Sequence, residues 1–174
     1  LGLAPTTSTT ATLVMGDALA VSLLEAREFT PNDFALFHPA GALGKRLLLQ
    51  VSELMHSGDK TPKVTLGTSL KETLYEMTTK KLGMTTICDH NNTLQGIYTD
   101  GDLRRTIDNQ RDIHSTIVDD VMTNNCQTIP KDTLAVDALN LMQNNKITSL
   151  VITDTSNTVE GVLHLHDLLR AGVS

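Results

Sequence analysis

The sequence predicts an α/β fold in which two similar helix-strand-strand-helix units pack with pseudo-twofold symmetry, preceded by the last helices of another α/β domain. The first observation behind this prediction is an internal repeat. Residues 51–55 match 118–122, and residues 96–98 match 161–163 at an offset of 65. The second observation is size. Each unit has about 60 residues, too few to bury a sufficient apolar core alone, so the two units should share one.

The composition excludes several classes of protein. The 174 residues include 14 basic and 20 acidic side chains, a net charge of −6, and only 3% are aromatic, which predicts an aliphatic core. Scattered basic residues argue against nucleic-acid binding. We expect no membrane span, because no stretch of 18 uninterrupted apolar residues exists, and no secretory leader. Two distant cysteines predict reduced thiols in the cytoplasm and no structural metal, and no cofactor is indicated.

The first unit shows its elements in chain order. A capping-box pattern at residues 69–72 begins a helix with apolar residues at helical spacing, and the helix should end near Gly83. Two β-rich runs follow at 85–88 and 94–99, separated by turn-forming residues, and predict an antiparallel pair of strands. A second helix should start near Asp100.

The second unit repeats this order. A helix is predicted from Leu134 to about residue 144, then strands over 148–153 and 159–163, and a final helix from about Leu165. The small differences in offset between the units fall in polar stretches, where loop insertions belong.

The first 50 residues lie outside the repeat. Residues 11–28 predict a helix with apolar side chains around much of its circumference, which should therefore be largely buried. The other helix predicted in this segment, 41–49, is too short to cover the apolar side chains of the first. We expect this segment to be the end of a domain whose sheet lies upstream. The predicted division is 1–50, 51–115 and 116–174.

Residues 51–174 resemble a tandem pair of cystathionine-β-synthase (CBS) domains, an α+β pair. The resemblance lies in the opening segments 51–55 and 118–122 and in the closing patterns 96–103 and 161–168. In that family, such pairs commonly bind adenine or other nucleotides in the cleft between the units. There, a Thr or Ser followed three residues later by Asp holds the ribose.

The resemblance implies a ligand site at Thr99, Asp102 and Arg104. An ionised carboxylate accepts hydrogen bonds from two vicinal hydroxyls, and Arg104 and Arg105 are close enough in sequence to meet a phosphate near the helix N-terminus. The alternative is that Thr99 and Asp102 form a capping box, which stabilises a helix without any ligand. Both interpretations stay open at this stage.

The second unit departs from the pattern, because His164 stands where the family has a hydroxyl residue ahead of Asp167. His164 and Asp167 are its candidate ligand residues, since a neutral imidazole can still donate or accept a hydrogen bond. A degenerate site with histidines in surface or capping roles is the alternative. If the strand continues, His164 and His166 point to opposite faces, which argues against a metal pair.

Residues 1–20 and 34–44 are similar to the tail of a sugar isomerase (SIS) domain. A SIS domain followed by a CBS pair is the architecture of D-arabinose 5-phosphate isomerases. These enzymes interconvert D-ribulose 5-phosphate and D-arabinose 5-phosphate for the synthesis of 3-deoxy-D-manno-octulosonate, used in lipopolysaccharide or capsule. The resemblance implies a sugar phosphate substrate and a homo-oligomer, a tetramer in related isomerases.

His38 is the candidate catalytic residue. It matches the histidine of the family's His-Pro-x-Gly-Ala-Leu-Gly segment, which implies a part in ring opening or proton transfer. The alternative is a histidine that shapes the turn ahead of Pro39. The family's lysine, acidic residues and phosphate loop would lie upstream, so we expect these 174 residues alone to be inactive.

Three functions therefore remain open for the chain. It is the regulatory part of an isomerase, or a sensor that binds an adenine or cytidine nucleotide or a CMP-linked sugar, or a module that assembles subunits. The first two are compatible in one protein.

Overall fold

The computed structural model describes residues 4–37, 41, 44 and 47–173. The chain divides into two compact units, Leu1–Leu48 and Leu49–Ser174, which are described separately below.

The first unit contains helices α1, Thr6–Ala26, and α2, Pro31–Phe37. The α1 helix begins earlier than expected and has no buried residue, in line with the expectation that this segment offers nothing to bury it against. Its burial within a longer domain stays a prediction. Its length and mean hydropathy of 1.3 would allow it to cross a membrane, a test that core helices of soluble proteins also pass. The predicted helix 41–49 falls partly outside the described residues.

The second unit contains the two repeats, and the predicted order of helices and strands is confirmed. The first repeat contains short 3₁₀ helices and six main elements. These are β1, His56–Ser57; β2, Lys63–Thr65; α3, Leu70–Lys80; β3, Met84–Cys88; β4, Leu94–Thr99; and α4, Asp100–Asp108. The second repeat has β5, Thr128–Ile129; α5, Ala135–Asn145; β6, Ser149–Thr153; β7, Val159–His164; and α6, Leu165–Arg170.

The two repeats exchange the segments that precede them. We call residues 49–57 the first arm and residues 116–123 the second arm. The first arm supplies β1, which pairs antiparallel with β7 of the second repeat, so the sheets are ordered β1-β7-β6-β5 and β2-β3-β4. The second arm returns the contact, because the backbone of Thr123 bonds to that of Ile97 in β4 in both directions, at 2.8 and 2.9 Å.

The exchange extends into the hydrophobic core. Val51 of the first arm is fully buried in a cluster built from the second repeat, with Leu139 and Leu163. Val118 of the second arm is fully buried in the cluster of the first repeat, with Leu70. A third cluster joins the two sheets across the pseudo-twofold axis. Each repeat therefore completes its core only with a segment that the chain order assigns to the other.

The turn between β3 and β4 and the turn between β6 and β7 also form hydrogen bonds to each other's strands in a symmetric way. Asn92 and Asn157 occupy equivalent positions and both adopt a left-handed backbone, with φ of 64° and 61°. The side-chain amide of Asn92 donates to the carbonyl of Val159, and that of Asn157 donates to the carbonyl of Leu94, both at 3.0 Å. These reciprocal bonds tie the two sheets together at the turn end.

The arm exchange predicts that a side chain at Gly161 is not tolerated. A Cβ added there would lie 2.6 Å from the carbonyl oxygen of His56, which is backbone and cannot turn away. Gly161→Ala should therefore lower the free energy of unfolding by about 1–3 kcal/mol, as overpacking does, measured by urea denaturation. Gly16→Ala is the control, because an added Cβ meets nothing there. Equal stability of the two variants would contradict the close contact.

A second prediction concerns Thr85, which is fully buried in β3. Its hydroxyl has no hydrogen-bond partner among the described residues, whereas the hydroxyl of neighbouring Thr86 donates to the Pro62 carbonyl at 2.8 Å. Thr85→Val should raise the free energy of unfolding by about 1 kcal/mol because it removes an unsatisfied polar group. The matched control Thr86→Val should lower it. Destabilisation by both variants in thermal melts would refute this account.

Candidate functional site

A cleft of about 490 Å³ lies between the two repeats, a size typical of small-molecule sites. Its walls combine apolar side chains with hydroxyl, amide and charged groups from both repeats. The lining residues are Leu82, Gly83, Met84, Ile97, Thr99, Asp100, Gly101, Arg105, Thr123, Asn125, Cys126, Gln127, Lys146, Ile147, Thr148, Ser149, Val151 and His164.

The carboxylate of Asp102 sits behind the cleft wall and is 3% exposed. Its Oδ2 accepts from the backbone N–H and the hydroxyl of Thr99 at 2.9 and 2.6 Å. Its Oδ1 accepts from Arg105 at 2.6 Å and from the Thr123 hydroxyl at 2.8 Å. Thr99 in turn caps α4, so the predicted capping box is confirmed.

These contacts keep Asp102 ionised. Burial alone raises the pKa of Asp102, but the hydrogen bonds from Thr99, Thr123 and Arg105 outweigh it and hold that pKa below its usual value. The site therefore carries a fixed negative charge at neutral pH, surrounded by donors.

Arg105, rather than Arg104, is the arginine that reaches the cleft. Arg105 lines the cleft and donates to Asp102, whereas the exposed Arg104 is not among the lining residues. Adjacent residues on an α-helix point about 100° apart, so only one of the pair can face the cleft. Lys146, in the left-handed position that ends α5, provides the second positive side chain of the lining.

The equivalent carboxylate of the second repeat, Asp167, has a different neighbour. The Nε2 of His56, on the first arm, lies 2.9 Å from Asp167 Oδ2. His56 thus occupies the place that Thr123 takes beside Asp102, because both come from exchanged arms. Sequence reasoning missed His56 and Thr123. The one available signal was that the matching segments 51–55 and 118–122 each end one residue before them, since each lies far along the chain from its carboxylate.

His164 lines the cleft, as predicted for a site residue, and its ring lies beside that of His166. The strand ends at His164, and its Nδ1 accepts from the backbone N–H of His166, so the rings stack with centroids 5.0 Å apart. The opposite-face arrangement was expected only for a strand that continues to His166, and this strand does not. Burial, followed by the nearby His166, lowers the pKa of His164, which keeps it neutral at pH 7.

Within the described part of the chain, no group of three or more His, Cys, Asp or Glu side chains is arranged to hold a metal ion. The candidate catalytic residue His38 lies outside the described residues.

Comparison with known proteins places this geometry in context. The CBS domain family matches residues 51–109 and 118–174. Arabinose 5-phosphate isomerase KdsD of Escherichia coli K12 is 58% identical over 173 residues, and that of Yersinia pestis is 56% identical. Each alignment covers 99% of this chain and 52% of the relative, so the chain spans about half the length of the curated relatives it matches.

Solved structures share the fold. The CBS-pair protein CBSX2 from Arabidopsis thaliana is 24% identical, with a TM-score of 0.61 over 71% of this chain and 94% of its own. A complex of CBSX2 with AMP gives a TM-score of 0.62 at 24% identity, over 71% of this chain and 96% of its own. The CBS domain pair of protein MJ0100, in complex with 5′-methylthioadenosine and S-adenosyl-L-methionine, is 18% identical. Its TM-score is 0.64, over 71% of this chain and 94% of its own. The predicted α/β CBS-pair fold is thus confirmed, and the chain belongs to the CBS domain family as a tandem pair.

Proposed function

We propose that this chain is the regulatory part of an aldose-ketose isomerase that interconverts D-ribulose 5-phosphate and D-arabinose 5-phosphate. The observation that carries this proposal is the match of 99% of the chain to relatives named arabinose 5-phosphate isomerase, at 56–58% identity. We place the enzyme in the cytoplasm, as a homotetramer that supplies 3-deoxy-D-manno-octulosonate synthesis for lipopolysaccharide or capsule. We also propose that residues 1–50 are the end of the SIS domain, and that residues 51–115 and 116–174 are the two CBS domains.

The exposure of helix α1 is evidence for the proposal that a larger catalytic domain surrounds it in the longer protein. Its apolar side chains stand in solvent, with Leu13, Met15 and Leu19 each more than 60% exposed. Exposed apolar surface of this extent is characteristic of an interface. We propose that α1 completes the SIS domain of the longer protein, in which His38 contributes to the active site.

We further propose that the cleft binds a nucleotide as the regulatory ligand, either an adenine nucleotide or a cytidine nucleotide such as a CMP-linked sugar. The apolar side chains of Ile97 and Val151 suit the face of a base. The ionised Asp102, buried directly behind the lining side chain of Arg105, suits ribose hydroxyls, and Arg105 and Lys146 suit a phosphate. The neighbouring fold in complex with AMP makes adenine nucleotides the first ligands to test.

An assembly role for the chain is a separate proposal. Tyr75, Ile107 and Leu169 are 74%, 54% and 52% exposed on helices α3, α4 and α6. Single exposed apolar side chains are common on protein surfaces, so these three become evidence of assembly only if another subunit covers them. Sedimentation of the isomerase with and without residues 51–174 tests this role, and an unchanged oligomer would refute it.

Binding should be visible in a thermal-shift and calorimetric screen of the chain with AMP, ATP, CMP and a CMP-linked sugar. A true ligand at 100 times its Kd should stabilise the fold by about 2.7 kcal/mol. It should also slow alkylation of Cys126, which lines the cleft, while Cys88 is 1% exposed and serves as the internal control. Asp102→Asn should weaken binding more than Asp167→Asn. Failure of every nucleotide to stabilise the chain would contradict the sensor proposal.

Catalysis should require more than these residues. The purified 174-residue chain should not convert ribulose 5-phosphate to arabinose 5-phosphate above the background of a mock preparation. The longer enzyme should do so, and His38→Ala in it should lower kcat by about 100-fold or more, as removal of a general acid or base does. Turnover by the isolated chain, or full activity of His38→Ala, would overturn the corresponding part of the proposal.

A further inference from the structure

The carboxylate of Asp102 is saturated in this structure, which creates a problem for any ligand that must bond to it. Four donors from three residues already fill its two oxygens: two from Thr99, one from Thr123 and one from Arg105. A carboxylate has about four lone-pair positions. A ribose hydroxyl can therefore reach Asp102 only if one of these donors leaves.

Three of the four donors come from residues whose backbones are fixed by the fold. The bond from the Thr99 backbone N–H is one half of the capping box that begins α4, and the Thr99 hydroxyl accepts from the Asp102 N–H in the other half. Thr123 lies on the second arm, whose backbone is bonded to Ile97 in both directions. Both threonine side chains are short, so their hydroxyl oxygens stay beside Asp102 even when their O–H bonds rotate.

Arg105 is the donor that can leave. Its side chain is 65% exposed while the Asp102 side chain is 4% exposed, so the guanidinium lies over the carboxylate from the solvent side. It also lines the cleft, and one bond to Asp102 Oδ1 holds it there among the described contacts. The exposed guanidinium can be solvated by water when it moves away, so the main cost of breaking the pair is the bond that Oδ1 loses until a ligand hydroxyl replaces it.

We propose that Arg105 is an exchangeable latch that selects phosphorylated ligands. The inference rests on the proposed nucleotide binding. In the empty cleft Arg105 covers Asp102. When a nucleotide binds, the guanidinium transfers to its phosphate, and a ribose hydroxyl donates to the vacated Oδ1. Asp102 thereby stays fully hydrogen-bonded, and the arginine exchanges a carboxylate for a phosphate that it can bind with two parallel hydrogen bonds.

The latch explains how the cleft would distinguish a nucleotide from its nucleoside. A nucleoside must displace Arg105 from Asp102 and offers the guanidinium no replacement anion. A nucleotide displaces it and provides one. Arg105 therefore opposes binding of the nucleoside and favours binding of the nucleotide.

Calorimetry with AMP and adenosine, on the 174-residue chain and its variants, tests the latch. Arg105→Ala should weaken AMP binding by about tenfold or more, the effect of losing a charge-assisted bond. The same variant should tighten adenosine binding by about two- to fivefold, the effect of removing an exposed ion pair that competes. Arg104→Ala, the adjacent exposed arginine outside the cleft, should change neither. Arg105→Lys should give intermediate AMP affinity, since it keeps the charge but loses the planar fork.

The opposite responses of the two ligands separate the possible outcomes. If Arg105→Ala weakens both ligands alike, Arg105 supports the site without acting as a latch, and the inference is overturned while nucleotide binding stands. If Arg104→Ala reproduces the effect, general surface charge is responsible and the inference is also overturned. If the unaltered chain binds neither ligand, and CMP with cytidine gives the same result, the proposed nucleotide function fails and the latch fails with it.

Discussion

The exchange of the two arms is the constraint on which the rest of the structure depends. Val51 and Val118 are each fully buried in the core of the repeat to which they do not belong in sequence. A repeat of about 60 residues buries a limited fraction of its surface, and each of these two leaves part of its core to the other's arm. Because each lacks a strand contact and a core side chain until the other supplies it, the two should fold as one cooperative unit with a defined cleft between them.

The same exchange builds the site. Thr123 and His56 arrive on exchanged arms and place a hydroxyl beside Asp102 and an imidazole beside Asp167. The backbone is close to symmetric, but these side chains are not. The carboxylate of the first repeat is enclosed by small donors and an arginine, while that of the second faces a histidine ring. The pseudo-twofold fold therefore presents two chemically different positions, and a ligand that needs hydroxyl and guanidinium donors is directed to the first.

The regular elements could be predicted from the sequence because their signals are local. The cap at Ser69, the turn residues between the strands and the Thr99 capping box act over three or four residues, and the structure has helices and strands near the expected bounds. The site could be predicted only in part. The resemblance to CBS pairs implied a role for Thr99 and Asp102, but it did not separate Arg105 from Arg104, because that choice depends on the rotation of α4 against the cleft.

The sequence by itself determined the repeat, the fold class, the aliphatic core and the carboxylate at the start of α4. Each follows from composition or from residues near one another in the chain. Only the tertiary structure decided which arm completes which sheet, that His56 lies beside Asp167, and that the Thr123 hydroxyl supplies the fourth donor to Asp102. Those facts depend on contacts between residues as far apart as His56 and Asp167. Local sequence patterns do not show which distant segments pack together.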